Sequence, residues 1–361
     1  MTDRDFVFSE LADSDIPDLV DLIAETGRET GAHNRDIMNL ELWRWQYKDL
    51  PTGASYVYLA KHNGRIVGYY QIAAYDFLAG DRKLRIGQIQ LVAVLPSFRG
   101  QGLFRRLADY AHQELMVHLD LTYTFPNRRS IRTFLKYNDY KTVKALPMFV
   151  LPLATAEIIR AQRKLFAFEY LIGWVVDLWG KMFRKRLAEN EALSVRRSFD
   201  DEVLDTFERF QNAHQLRLLR DRDYMNWRYL ATPKGRHFIV GLEREGALCA
   251  VAVVKYEKLF SVRALLIVDF AYNDRPEDLL KLLGNIPRLF GAELPDKAAL
   301  ILCSAFAPFT SHLKWAGFIP VPQKLIPRQL NLLARWMRST ADIDIHDPNL
   351  WLVTLGDWDV F

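Results

Sequence analysis

The stretch Val92-Ala93-Val94-Leu95-Pro96-Ser97-Phe98-Arg99-Gly100-Gln101-Gly102-Leu103-Phe104-Arg105-Arg106-Leu107 decides how the whole chain is read. It closes an apolar run, Ile89 to Leu95, that reads as a buried strand, and Pro96 stops that strand. Beyond the two glycines, Leu103, Leu107, Ala111 and Leu115 recur every four residues, as on the core-facing stripe of a helix. A strand that passes through a glycine-bearing loop into a helix N-terminus is a seat for a phosphate-bearing ligand. Successive N–H groups point outward there, the helix dipole adds partial positive charge, and glycine lets the backbone approach closely. Arg99 and Arg105 stand where they add formal charge. Two familiar phosphate loops do not fit. The dinucleotide fingerprint needs a third glycine after Gly102, and the P-loop needs a Lys-Ser/Thr pair that is absent.

The stretch resembles the acyl-CoA-binding motif of the GNAT acetyltransferase superfamily, V-x-P-x-x-R-G-x-G-hydrophobic. Val94, Pro96, Arg99, Gly100, Gly102 and Leu103 match it without a spacing error. The resemblance implies that the loop Arg99-Gly100-Gln101-Gly102-Leu103-Phe104 holds the pyrophosphate of acetyl-CoA, the co-substrate, with acetyl as the family's default acyl group. It also implies that Val92 and Val94 lie on a strand splayed from its neighbour, whose free amides bind the acyl carbonyl and pantetheine. Read from the residues, both valines are equally ordinary strand core.

A second strand–loop–helix follows, with Leu121–Phe125 as strand, Pro126 to Ser130 as loop and a helix through Phe134 to Tyr137. GNAT proteins commonly have Asn after the fifth strand, a small residue three positions on and an aromatic at seven. Asn127, Ser130 and Phe134 match that spacing, while Asp139-Tyr140 stands where Gly-Phe is usual. Many members have tyrosine at the place of Phe134 as the acid for the departing thiolate, and phenylalanine has no proton to give. Tyr137, three positions on, is the remaining candidate acid. On the strand, the family's glutamate positions hold Gln88 and Gln90; Gln90 is the catalytic-strand candidate, yet no glutamine takes a proton. A bound water, or an amine that loses its proton to solvent, is the expected base. Glu41 reads first as a solvated helix face, and His112 and His118 as surface or packing residues.

Trp45-x-Tyr47-x-x-x-Pro51-x-Gly53 recurs as Trp227-x-Tyr229-x-x-x-Pro233-x-Gly235, an offset of 227 − 45 = 182. Gly64, of the hairpin signal Asn63-Gly64, pairs with Gly246 at the same 246 − 64 = 182. Leu135 to Tyr140 aligns with Leu313 to Phe318 at 313 − 135 = 178. The chain therefore reads as two copies of one α/β domain, each a mostly antiparallel mixed sheet flanked by helices. The expected layout is a catalytic domain over 1–150, a helical linker over 151–200 and a degenerate copy over 201–361. The second copy has no R-G-x-G. In its place stands Asp269 to Asp278, whose acidic side chains oppose a pyrophosphate.

The segment 158–186 mixes basic residues with Trp174 and Trp179. Its apolar core, Leu165 to Gly180, is too short and too polar to span a bilayer. It reads as a packed connecting helix, with peripheral membrane contact the other reading. Half of the 361 residues are hydrophobic and the net charge is +4, which fits folded domains and gives no footprint for nucleic acid. Two cysteines, Cys249 and Cys303, lie in apolar runs and read as buried free thiols, with no metal site indicated. With no signal-peptide pattern at residues 1–5, a cytoplasmic location is expected, as a monomer or a homodimer.

The acceptor is a small-molecule primary amine in this reading. Its wall is the aromatic segment Leu42–Pro51, with Arg44, Trp45 and Tyr47 as candidates. Trp45 and Tyr47 recur in the second copy and so read as structural; Arg44 does not recur, Asn226 standing in its place. A non-catalytic acyl-CoA-binding or scaffold protein and an aminoacyl-tRNA-dependent transferase are the alternatives.

Overall fold

A computed structural model describes residues 6–29, 39–127, 130–161, 178, 186–212, 215–259, 261–295, 297–304, 313–326, 330–338 and 343–358. The first half of the chain runs β1 (Val7–Glu10), α1 (Ile16–Glu29), α2 (Leu40–Tyr47), β2 (Ser55–His62), β3 (Arg65–Ala79), β4 (Arg82–Val94), α3 (Leu103–Leu115), β5 (Leu121–Thr124), α4 (Ile131–Tyr137), β6 (Lys141–Ala145), β7 (Met148–Pro152) and α5 (Thr155–Ala161). The second half runs β8 (Glu191–Arg196), α6 (Asp201–Asn212), β9 (Leu216–Leu218), α7 (Arg222–Met225), β10 (His237–Arg244), β11 (Ala247–Leu259), β12 (Val262–Tyr272), α8 (Pro276–Asn285), β13 (Leu300–Ser304), β14 (Ile319–Val321), β15 (Asn331–Trp336) and β16 (Trp351–Leu352). Most of the segment 158–186 lies outside the described residues. Among the described residues no helix is long and apolar enough to cross a membrane.

The chain folds as two compact units, each built on a mixed sheet flanked by helices. They are not the sequential blocks 1–150 and 201–361. Unit 1 comprises 1–145, 232–234 and 330–347; unit 2 comprises 146–231, 235–329 and 348–361. The difference comes from two strands. In unit 1 the strand order is β1-β2-β3-β4-β5-β15-β6, so β15, from late in the second copy, lies between β5 and β6. In unit 2 the order is β14-β7-β13-β12-β11-β10-β8, and β7, from the end of the first copy, lies between β13 and β14. Each unit thus completes its sheet with a strand from the other half of the sequence. An unpaired strand edge costs backbone hydrogen bonds, and pairing with the inserted strand recovers them on both sides.

The repeat seen in the sequence is a repeat in the register. In unit 1 the β3–β4 ladder shifts between Gln71↔Leu91 and Ile72↔Ile89, which leaves Gln90 as the extra residue of a β-bulge. In unit 2 the β11–β12 ladder shifts between Val253↔Asp269 and Val254↔Ile267, leaving Val268 as the extra residue. The two bulges are 268 − 90 = 178 apart, whereas the hairpin turns before them are 182 apart. The β11–β12 ladder ends at Leu259↔Val262, five positions beyond Val254, and the β3–β4 ladder at Ala79↔Arg82, seven beyond Ile72. Two rungs fewer remove two residues from each strand, which accounts for the drop from 182 to 178. Asn63 and Gly64 have φ of 50° and 78°, and Glu245 and Gly246 have 54° and 83°, the positive pair that tight hairpin turns require.

In unit 1 the expected helical stripe is buried: Leu103, Leu107, Ala111 and Leu115 pack onto the sheet with Ala108. His112 is buried among them and hydrogen-bonded to two partners, so the surface reading of that residue gives way to packing. His118 is exposed and stacks on Tyr56 at 5.2 Å between ring centroids. Asp139 has φ of 56°, and Gly317, its counterpart at the 178 offset, has 86°. Asp139 therefore adopts the same left-handed conformation as its glycine counterpart, which aspartate tolerates. Cys303 is buried as expected, and Cys249 is only half-buried.

Candidate functional site

The site of unit 1 is made by the place where β4 loses one neighbour. β4 pairs with β5 in parallel from Ile86↔Leu121 to Ile89↔Thr124, and there the pairing stops, although β4 continues to Val94. Thr124 marks the fork by donating its hydroxyl to the Ile89 carbonyl at 3.0 Å. Beyond it, β4 is held by β3 alone. Leu95 N–H donates to Val67 O on β3, so strand alternation turns the peptide groups of Val92 and Val94 the other way, toward the side β5 has left. Val92 is half-buried and Val94 buried, so their side chains pack as strand core while their peptides face the fork.

At the end of β4 the chain turns through Pro96–Phe98 into α3. Gly100 and Gly102 have φ of 76° and 73°. The space beside each is open, so it is the backbone conformation that calls for glycine here. The first intrahelical bond runs from Arg106 N to Gly102 O, which leaves the amides of Leu103, Phe104 and Arg105 directed out of the helix end. Arg99 is exposed, and its Nε donates to Val94 O at 2.8 Å, so its charge is tied back to the strand end beside the loop. Gln101 is exposed and donates to Ser97 O at 3.3 Å.

Gln90, the bulge residue, is the centre of an amide cluster. Gln46 on α2 donates to its Oε1 at 2.6 Å, and its own Nε2 donates to Gln88 Oε1 at 2.9 Å and to Tyr75 Oη at 3.1 Å. Three glutamines at this point offer hydrogen bonds but no proton acceptor for an ammonium. Gln46, Gln88 and Tyr75 were not among the sequence candidates for binding. Trp45 and Tyr47 recur in the second copy, and Gln46 between them is the residue that reaches the bulge.

The other candidates divide. Trp45 and Tyr47 are buried; Tyr47 packs on Trp43 and Trp45 lies under the Lys234 ammonium at 5.5 Å, which agrees with their structural reading. Arg44 is exposed on the outer face of α2. Asn127 is exposed and organises the start of α4: its Oδ1 accepts from Ser130 N at 3.1 Å and its carbonyl from Ile131 N at 3.0 Å. Phe134 is buried, edge-on to Phe104 of α3 and to Tyr140. Tyr137 is 41% exposed at the end of α4, with the Arg105 guanidinium 5.6 Å and the Lys136 ammonium 5.0 Å from its ring centre. Its contacts are thus with the first turn of α3 rather than with the bulge. Glu41 is exposed in the first turn of α2.

These features meet in one comparison. The model of the GNAT acetyltransferase family matches residues 17–140, the span that carries fork, bulge and glycine loop. Residues 17–140 are a GNAT acetyltransferase domain. Over the whole chain, the fold is similar to those of solved structures of low sequence identity. A tandem GNAT protein from the clavulanic acid biosynthesis pathway superposes with a TM-score of 0.56 at 15% identity, over 93% of this chain and 99% of that one. A probable N-acyltransferase from Enterococcus faecalis V583 gives 0.64 at 11% identity, over 92% and 73%. N-myristoyltransferase of Saccharomyces cerevisiae with bound myristoyl-CoA gives 0.57 at 13%, over 92% and 79%. No curated protein sequence matches the chain.

Unit 2 has the same fork and bulge without the R-G-x-G loop. β12 pairs in parallel with β13 from Ala264↔Leu300 to Ile267↔Cys303 and then runs on to Tyr272. Of the acidic residues expected to repel a pyrophosphate, Asp274 and Glu277 are exposed. Asp269 and Asp278 are buried, Asp269 bonded to Arg220 at 2.7 Å and Asp278 paired with Arg244. Those two are committed to internal ion pairs.

Proposed function

We propose that this protein is an acyl-CoA-dependent N-acyltransferase that moves an acetyl group from acetyl-CoA to a primary amine of a small molecule, in a ternary complex formed on unit 1. The observation that carries this reading is the fork between β4 and β5 opening directly onto the glycine loop. The loop and α3 amides take the pyrophosphate. The Val92 peptide takes the pantetheine, and the free N–H groups of Val92 and Val94 polarise the thioester carbonyl. Arg105, Lys136 and Tyr137 border the loop on the α4 side and receive the adenosine end of the donor, its 3′-phosphate between the two cations.

The acceptor enters at the bulge, where Gln46 and Gln90 orient it. The neutral amine attacks the thioester carbon, the C–S bond breaks, and the attacking nitrogen loses its proton to solvent. The thiolate leaves protonated by water, because Phe134 has no proton and Tyr137 stands by the first turn of α3. Two free cysteines fit a reducing compartment, and the cytoplasm is the proposed location. A non-catalytic acyl-CoA-binding role is favoured by one observation, the glutamine cluster at the bulge, where a catalytic base would otherwise stand.

Calorimetric titration with acetyl-CoA tests the donor site on the native chain, Gly102→Ala and Gly102→Glu. Both variants bear the same strain from a side chain at positive φ, about 1 kcal/mol, and only the second adds an anion. Binding by the native chain, weakened by alanine and abolished by glutamate, supports the reading; no binding by the folded native chain ends it. An amine screen with thiol release as the signal then separates enzyme from binder.

A further inference from the structure

The two bulges are the same place in two copies of one framework, and they have different occupants. In unit 1, position 46 touches the bulge directly, Gln46 to Gln90. Its counterpart in unit 2, at the 182 offset, is Arg228, which holds another piece of chain. Its Nε donates to Gly356 O at 3.1 Å and its Nη2 to Trp358 O. Gly356 itself lies against the bulge. A Cβ there would stand 3.0 Å from Val268 O and 2.2 Å from the hydroxyl of Tyr229, the counterpart of Tyr47. On either side of Gly356 the segment is bonded to unit 2 by groups beside the bulge. Thr354 donates its hydroxyl to Asp269 Oδ1 at 3.2 Å, and Asp357 receives Arg220 at 2.9 Å. Arg220 also bonds Asp269, so a fully buried Asp269–Arg220–Asp357 triad ties the segment to β12. Upstream, Trp351 and Leu352 pair in parallel with β9, and Leu350 O accepts from Leu216 N at 2.8 Å.

The geometry points to a change of role: the cleft of unit 2 that corresponds to the acceptor side of unit 1 is a peptide receptor, and its ligand is this chain's own segment 350–358. Position 228 carries the exchange. A glutamine there offers one amide to a neighbouring side chain, whereas an arginine offers a fork of donors that two peptide carbonyls can share. Asp269, one residue past the bulge, supplies the charge that orients Arg220 toward Asp357. Glycine at 356 is the requirement of close approach, since any side chain would collide with Tyr229. With the cleft filled and the R-G-x-G loop missing, unit 2 offers no acyl-CoA site of its own. This inference concerns unit 2 and stands whether or not unit 1 binds a donor.

The test has a native and a variant arm, both on the full chain. In native protein, hydrogen exchange of the peptide covering 350–358 is expected to be as slow as that of β12; exchange complete within seconds would overturn the proposal. In Gly356→Val the segment is expected to be expelled, with proteolytic cleavage in 343–358 at least about ten times faster and acetyl-CoA affinity at unit 1 unchanged within twofold. A synthetic peptide of residues 349–358 added to that variant is expected to raise its melting temperature by several degrees by mass action, and the same peptide carrying valine at 356 is not. Rescue by both peptides or by neither, or a variant segment as resistant as the native one, rejects the receptor. Arg228→Met repeats the comparison without a steric change.

Discussion

Arg335 donates to Nδ1 of His112 at 2.8 Å, and these residues are 223 positions apart. A guanidinium cannot accept, so Nδ1 is the acceptor and the imidazole proton lies on Nε2, facing Tyr70 Oη at 3.2 Å. Tyr70 bonds Tyr140, whose hydroxyl meets Thr122 Oγ1 at 2.6 Å. Arg335 also donates to Asn138 O at 2.9 Å. The inserted strand β15 is thereby keyed into the core of unit 1 by polar groups as well as by its ladder.

The His112 imidazole is held neutral. Burial, with the Arg335 charge beside it, pushes its pKa down to about 3. The unfolded chain takes up the proton near pH 6.5 and the folded one does not. The contribution to stability is therefore whole above pH 6.5 and is lost as pH falls toward 3. By pH 4.5 about 2.7 kcal/mol of it is lost. Chemical denaturation of native protein and His112→Gln, between pH 7.5 and 4.5, should show a steeper loss for the native chain.

Removal of the 3′-phosphate of the donor should matter. If Arg105 and Lys136 receive it, acetyl-CoA binds about ten times more tightly than its 3′-dephospho form, and Arg105→Gln/Lys136→Gln binds both alike. Equal binding of the two ligands by the native chain removes this subsite. The difference is expected to shrink with added salt, because both cations are exposed.

Tyr137→Phe separates two roles for one residue. A platform for the adenosine end predicts a turnover rate within about twofold of native and a weaker donor affinity for Tyr137→Ala. A proton donor to the thiolate predicts a drop of about 10²-fold for phenylalanine and an altered alkaline limb of the pH profile.

Gln90→Glu places a carboxylate on the bulge within reach of the acceptor. With the amine returned by the screen, the rate near neutral pH should rise several-fold and its dependence should gain an acidic limb, since a base then competes with solvent for the ammonium proton. An unchanged profile would mean that the acceptor does not approach at Gln90. Gln46→Ala should raise the acceptor KM and leave the affinity for acetyl-CoA unchanged, because Gln46 touches Gln90 and not the glycine loop.

Local signals carried much of the reading. The strand, Pro96, the two glycines and the leucine stripe are consecutive in sequence, and their chemistry is that of a backbone path; the positive φ of Gly100 and Gly102 is what such spacing demands. The doubling was legible too, as was the change of offset from 182 to 178. What produced that change, two lost rungs of a hairpin, appears in the register alone. Gln46 escaped notice because no periodicity marks a residue whose partner lies 44 positions away across a bulge.

The sequence by itself determined that the chain repeats one α/β pattern and that only the first copy carries the R-G-x-G loop, because both rest on residue types at short, fixed spacing. Tertiary structure decided the rest: which half supplies the strand between β5 and β6, where β4 parts from β5, and what fills the second cleft. These depend on pairings between residues distant in sequence, where many strands of similar composition could compete. Register, buried charge pairs such as Arg220 with Asp269, and the close contact at Gly356 select among them.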